Sequence, residues 1–170
     1  MKMNATMTLG LGVSKSNLTK PTEKDILIMG IGNILMGDEG IGVHVVQEME
    51  KLEWPEHVQI LDGGTGGFHL LQYLQEYENV IMVDATMDGN APGTINVIYP
   101  KFSSDFPSAL TAHDIGLKDL IESVILTDRL PNITLVTVSI SDIQYMKLEL
   151  SEPLKHVIPQ VIRSIREQLD

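Results

Sequence analysis

Short apolar runs alternate along this chain with segments whose apolar residues recur every three or four positions, and the alternation begins near residue 25. Ile26-Leu27-Ile28-Met29 is an unbroken apolar run closed by Gly30, the pattern of a strand buried on both faces of a parallel sheet. After a glycine-rich loop, Ile41, Val45, Met49 and Leu52 recur at helical spacing with Gln47, Glu48 and Lys51 on the other side, which predicts an amphipathic helix. Val58 to Leu61 predicts a second strand ending on Asp62-Gly63-Gly64, and Phe68, Leu70, Leu71 and Leu74 predict a second helix to about Gln75. Val80 to Val83 is a third buried strand that stops at Asp84. Thr94 to Tyr99 alternates more and follows the turn residues Asn90-Ala91-Pro92-Gly93, so the fourth strand is expected at an edge. A helix around Leu117 to Ile125, a fifth strand at Ile133 to Ser139 and a closing helix at Leu154 to Leu169 complete the pattern. Pro153 suits the first turn of that last helix, and Pro159 is a kink point.

This alternation of strand and helix specifies the α/β class: a single-domain three-layer α/β/α sandwich with a mainly parallel sheet covered on both faces. Residues 1–24 carry no sustained periodicity and read as a flexible N-terminal extension, with the domain spanning 25–170. A length of 170 residues fits one domain, and 43% hydrophobic with 21% charged residues is a globular composition. The formal charge of -11 repels phosphate backbones and anionic membrane surfaces, so nucleic acid is excluded as a partner. No apolar stretch approaches the ~20 residues that span a bilayer, and the opening segment lacks a signal-peptide pattern. A cytoplasmic monomer without membrane insertion is the expectation. With no cysteine, there is no thiol nucleophile, and any metal must be held by carboxylates and imidazoles.

In an open α/β sheet, ligands bind outside the carboxyl ends of the strands. Asp38 and Glu39 lie in the loop after the first strand, Asp84 ends the third, and His113 lies in the loop leading out of the fourth strand region. Each has a plain alternative. Acidic residues favour the first turn of a helix, a strand-terminal aspartate can cap the following turn, and loop histidines are often surface residues. Taken together, two carboxylates and one imidazole suit a borderline divalent cation such as nickel or zinc, with positions left open for water or substrate. The loop Asp62-Gly63-Gly64-Thr65-Gly66-Gly67 reads equally as a tight strand-to-helix turn or as a backbone platform for an extended peptide substrate.

The loop from Gly30 to Gly40 first suggests a dinucleotide fingerprint, but Leu35 stands where the third glycine belongs. Asp38 and Glu39 would also meet a pyrophosphate with two negative charges at the helix N-terminus. No Walker loop, H-E-x-x-H or G-x-S-x-G elbow is present. No nucleotide or organic cofactor is therefore expected.

In combination, these motifs resemble those of the hydrogenase maturation endopeptidases, which trim the large subunit of nickel–iron hydrogenases. The G-x-G-N-x-L-x-x-D-[DE]-G-x-G pattern is present at Gly30 through Gly42, D-x-G-T-x-G at Asp62 through Gly67, and D-A at Asp84-Ala85. P-G follows at Pro92-Gly93 and H-x-x-G-L at His113 through Leu117. The resemblance runs from Ile26 to the C-terminal helix and omits the N-terminal extension. It implies a twisted five-stranded sheet between helices, and a cut near the C-terminus of the large-subunit precursor after nickel insertion. It further implies that Glu39, Asp84 and His113 contact the metal, nickel carried by the precursor. Asp38 is implied as an adjoining catalytic or orienting group, and Asp62, Gly63, Gly64, Thr65 and Gly66 are candidates for substrate binding. A nickel- and precursor-binding chaperone that does not cut is the alternative from another class, with a nucleotide-binding domain behind it.

Overall fold

The computed structural model describes residues 21–22, 25–108, 121–126 and 130–169. β1 (Ile26–Gly30), β2 (Val58–Asp62), β3 (Asn79–Thr86), β4 (Ile95–Ile98) and β5 (Asn132–Ser139) form one sheet in the order β2-β1-β3-β5-β4. β2, β1, β3 and β5 run parallel, while β4 is antiparallel to β5 and lies at the edge, as its alternating sequence predicts. The direction of β4 follows from its connection. Only residues 87–94 join it to β3, too few for the dozen or more that a parallel crossover requires. The chain therefore turns at the carboxyl edge of the sheet and runs back.

The helices are α1 (Ile41–Met49), α2 (Leu71–Glu76) and α3 (Glu152–Arg166), and residues 121–125 are helical as well. Alternation along the strands divides the core between two faces. Ile81, Val83 and Ala85 of β3 pack with Ile41, Val45 and Met49 of α1 and with Leu154, Val157 and Val161 of α3. Val80 and Met82 pack with Leu70, Leu74, Ile121 and Val124 on the opposite face. The sheet is thus the middle of three layers. Burial on both faces is why the inner strands read as unbroken apolar runs.

Helix boundaries differ from the periodicity in three places. α1 stops at Met49, whose carbonyl accepts the Trp54 indole N–H at 2.7 Å, and Leu52 is left exposed beyond it. The segment expected to begin the second helix at Phe68 opens instead with a 3-10 turn, Phe68–Leu70, and Phe68 itself is 66% exposed. α3 starts before Leu154, with Ser151 as its N-cap and Pro153 in its first turn, and ends at Arg166. It continues through Pro159 because that residue lies on the exposed side, where solvent can reach the carbonyl that lacks its N–H partner.

α1 is seated on the sheet through its first turn. A Cβ on Gly42 would lie 2.2 Å from the carbonyl oxygens of both Ile31 and Val83, so only glycine lets the helix approach the ends of β1 and β3 this closely. Gly42→Ala is expected to destabilise the fold by roughly 2–4 kcal/mol, read as a lower urea midpoint with an unchanged slope. Gly89→Ala, at φ 81 with open space around it, should cost only about 1 kcal/mol. Equal losses at the two positions would refute a packing origin.

Candidate functional site

The loops that follow β1, β2 and β3 converge at the carboxyl edge of the sheet. Backbone hydrogen bonds hold the first two of them to the sheet and to each other: Ile31 N–H donates to the carbonyl of Val83 in β3, Gly63 N–H to Gly30 in β1, and Gly32 N–H to Gly64, each at 2.8 Å. The β1 loop is held between its neighbours, and the 3-10 turn Gly37–Gly40 that follows packs against β3. Glu39 on this turn and Asp84 on β3 therefore reach one edge from positions far apart in sequence.

Both are buried, Glu39 at 2% and Asp84 at 0% exposure. A carboxylate removed from water needs compensating donors. Glu39 Oε2 accepts the Asn33 N–H at 2.5 Å, and Asp84 Oδ1 accepts the N–H of Ala85 at 2.7 Å. Alternation puts Asp84 on the face of β3 that carries Val80 and Met82. His113 lies outside the described residues. Among the described residues no group of three or more His, Asp or Glu side chains forms a metal cluster. A pair of carboxylates joined by an imidazole is a donor set that fits a borderline divalent cation.

Asp38, 1% exposed, is engaged elsewhere. Its Oδ1 accepts the backbone N–H of Ser151 at 2.6 Å, and its Oδ2 accepts the Gln144 side-chain amide at 3.3 Å. Its negative charge thereby sits at the N-terminus of α3, where the helix dipole favours an anion. The backbone runs alongside: Gly37 N–H donates to the Lys147 carbonyl at 2.7 Å, and Lys147 N–H to Leu35 at 3.1 Å, a short parallel bridge between Met36 and Lys147. Gln144 and Ser151 carry no sequence signal of this role, because they lie 106 and 113 positions from Asp38.

Asp62 is exposed and closes a local turn, with Oδ1 accepting the Gly64 N–H at 2.9 Å and Oδ2 accepting the Gln47 amide at 3.3 Å. Gly63 is buried under the β1 loop, Thr65 is exposed, and Gly66 N–H donates back to the Gly63 carbonyl at 3.1 Å. Nearby on the same edge, Asp88 is held below the usual carboxylate range. Desolvation is the largest single influence and opposes this shift, but hydrogen bonds from the Asn90 N–H, the Ser139 hydroxyl and the Asn90 amide together outweigh it. Leu35, Phe68, Met87, Tyr145, Met146 and Leu148 are exposed apolar side chains on the loops around this edge. No described helix is long and apolar enough to cross a membrane.

Removing the Asp38 carboxylate should cost more than removing that of Asp62, because Asp38 is buried and its removal leaves its donors without water to replace it, while Asp62 is exposed. Asp38→Ala is expected to lose about 2–4 kcal/mol of unfolding free energy and Asp62→Ala about 1 kcal/mol or less, measured by urea denaturation. Similar values for both would show that the Ser151 and Gln144 bonds add nothing to stability.

A family model described as hydrogenase maturation protease matches residues 43–168. The hydrogenase expression/formation protein HupD of Rhizobium leguminosarum bv. viciae is 34% identical over 153 residues, 86% of this chain and 75% of that protein. The hydrogenase 2 maturation protease of Escherichia coli is 38% identical over 117 residues, covering 66% of this chain and 71% of the relative. Among solved structures, the hydrogenase maturating endopeptidase HybD from E. coli superposes with a TM-score of 0.77 at 32% identity, covering 85% of this chain and 91% of that one.

Proposed function

This chain belongs to the hydrogenase maturation protease family, and from that premise we propose that it is an endopeptidase that removes the C-terminal extension of a nickel–iron hydrogenase large-subunit precursor after nickel insertion. The observation that carries the reading is the burial of two carboxylates, Glu39 and Asp84, at one loop-lined sheet edge of a chain with these relatives. Burying a pair of acidic groups without a function is costly, and a cation offsets that cost. In this reading Glu39, Asp84 and His113 complete the coordination of the precursor's nickel and so hold the scissile peptide at the edge. A divalent cation beside a peptide bond polarises its carbonyl and lowers the pKa of water toward about 7. Asp38 takes the orienting part among the roles open to it, since both its oxygens hold groups of the segment before α3.

The surroundings support a protein substrate. The exposed apolar side chains ring the site on four separate connections, a wider surface than a small molecule requires. The loop from Asp62 to Gly66 offers little side-chain bulk beside the β1 loop, which suits an extended backbone. The net charge of -11 disfavours polyanionic partners.

The test is incubation with nickel-loaded and nickel-free precursor, with mass spectrometry of the released peptide. Release is expected from the nickel-loaded form alone. Asp84→Asn, which keeps shape and removes a charged donor, should slow release by about 100-fold or more while remaining folded. His113→Ala should weaken capture of nickel-loaded precursor far more than that of the nickel-free form. Equal cleavage of both precursors would remove nickel recognition from the reading, and capture without release would favour the non-cutting chaperone.

A further inference from the structure

Gln144 had no place in the sequence motifs, and its side chain makes an unusual set of contacts. The carboxamide Oε1 accepts the Asp38 backbone N–H at 2.8 Å, while Nε2 donates to Asp38 Oδ2 at 3.3 Å and to Asp142 Oδ1 at 3.1 Å. One amide thus holds both the main chain and the side chain of a single buried residue. The seat is cut to its shape. Gly37 stands at φ 59, and a Cβ there would lie 2.2 Å from Gln144 Oε1, so the amide occupies the space that a side chain at position 37 would fill. Glu39 is the next residue after Asp38, presented by the same 3-10 turn and buried.

We infer that Gln144 is a positioning residue for the reaction: through its two-ended bond to Asp38 it sets the turn that presents Glu39 to the precursor's metal. The inference rests on the function proposed above and adds to it a residue that touches neither metal nor substrate. The chemistry of the seat is specific. The position needs an acceptor toward a backbone N–H and a donor toward a carboxylate on one planar group, which an amide supplies and a carboxylate does not. Asparagine is one methylene too short to reach from the same backbone. Gln144→Glu keeps the size but loses the donor and sets a second negative charge against Asp38. Asp38→Asn keeps an acceptor for the Ser151 N–H but turns an N–H group toward the N–H group of Gln144. Each single change breaks the match. In a common Asp142→Asn background, where the amide at 142 pairs with either an amide or a carboxylate at 144, Asp38→Asn and Gln144→Glu together restore it with donor and acceptor exchanged.

The experiment measures affinity for nickel-loaded and nickel-free large-subunit precursor and takes the ratio, with thermal melting as a check on folding. Capture is used in place of cleavage so that any chemical part played by the Asp38 carboxylate does not enter. A wild-type ratio well above one is required, and a ratio of one would remove nickel recognition from the proposed function and overturn this inference with it. Given that ratio, Gln144→Glu and Asp38→Asn, made in the Asp142→Asn background, are each expected to reduce it roughly tenfold, since small misplacements of a positioning group have effects of this order. The double variant should return to within about threefold of Asp142→Asn alone, a coupling that independent structural losses do not give. An unchanged ratio in Gln144→Glu, or a double variant no better than the worse single one, would overturn the positioning role while leaving the function intact. If Gln144→Glu alone does not fold, the double variant decides: recovery of fold and ratio supports the inference, and failure of either overturns it.

Discussion

The rest of the site depends on the contact between the first turn of α1 and the backbone of β3 and of the residue that follows β1. Gly42 lies so near the carbonyl oxygens of Ile31 and Val83 that no side chain fits there. Ile31 is the first residue after β1, and Val83 lies within β3 immediately before Asp84. Seating α1 on them fixes how far the helix stands above the sheet, and so where the turn preceding it lies. Glu39 and Asp84 come to a common edge because the start of α1 and the backbone of β3 beside Asp84 share this contact. A larger residue at position 42 would lift the turn away from β3 even if every strand stayed paired.

Asp38 and Glu39 are adjacent and equally buried, yet their surroundings divide them. Asp38 is satisfied by Ser151 and Gln144, both from the segment between β5 and α3. Glu39 accepts a hydrogen bond from Asn33 within its own loop. The first residue therefore ties the loop to the C-terminal part of the chain, and the second stays with the edge that receives the loops after β2 and β3. Buried carboxylates are stable only where donors are provided, and here the fold supplies them from different directions. In this arrangement the orienting role proposed for Asp38 and the metal-facing role proposed for Glu39 are complementary.

The segment after β5 gains significance from the same view. It forms a short bridge with Met36 and places exposed Tyr145, Met146 and Leu148 beside exposed Leu35. Met146 takes φ 57, a conformation that non-glycine residues adopt rarely and that turns the chain along the loop. The apolar rim is continuous with the site because the backbone bonds holding Asp38 also hold that segment. The rim and the acidic turn thus share one set of backbone hydrogen bonds.

Much of this was legible in the residues themselves. Unbroken apolar runs announced inner parallel strands because burial on both faces leaves no polar position. The short Pro-Gly connection marked β4 as an edge strand. Glu39 and Asp84 became candidates because strand ends collect ligands in this class of fold, and the spaced glycine and acidic motifs carried the family resemblance. Helix ends were less legible. Met49 closes α1 through an indole five residues away, and Phe68 faces solvent because its segment opens as a tighter turn. The partners of Asp38 were not legible at all. A hydrogen bond across 106 positions depends on two backbones meeting in space, and no local periodicity, cap or motif records such a meeting. The sequence by itself determined the layers, the mainly parallel sheet and the acidic candidates, since these follow from local pattern and burial. Only the tertiary structure decided which way each buried carboxylate is held, because that depends on donors brought from distant parts of the chain.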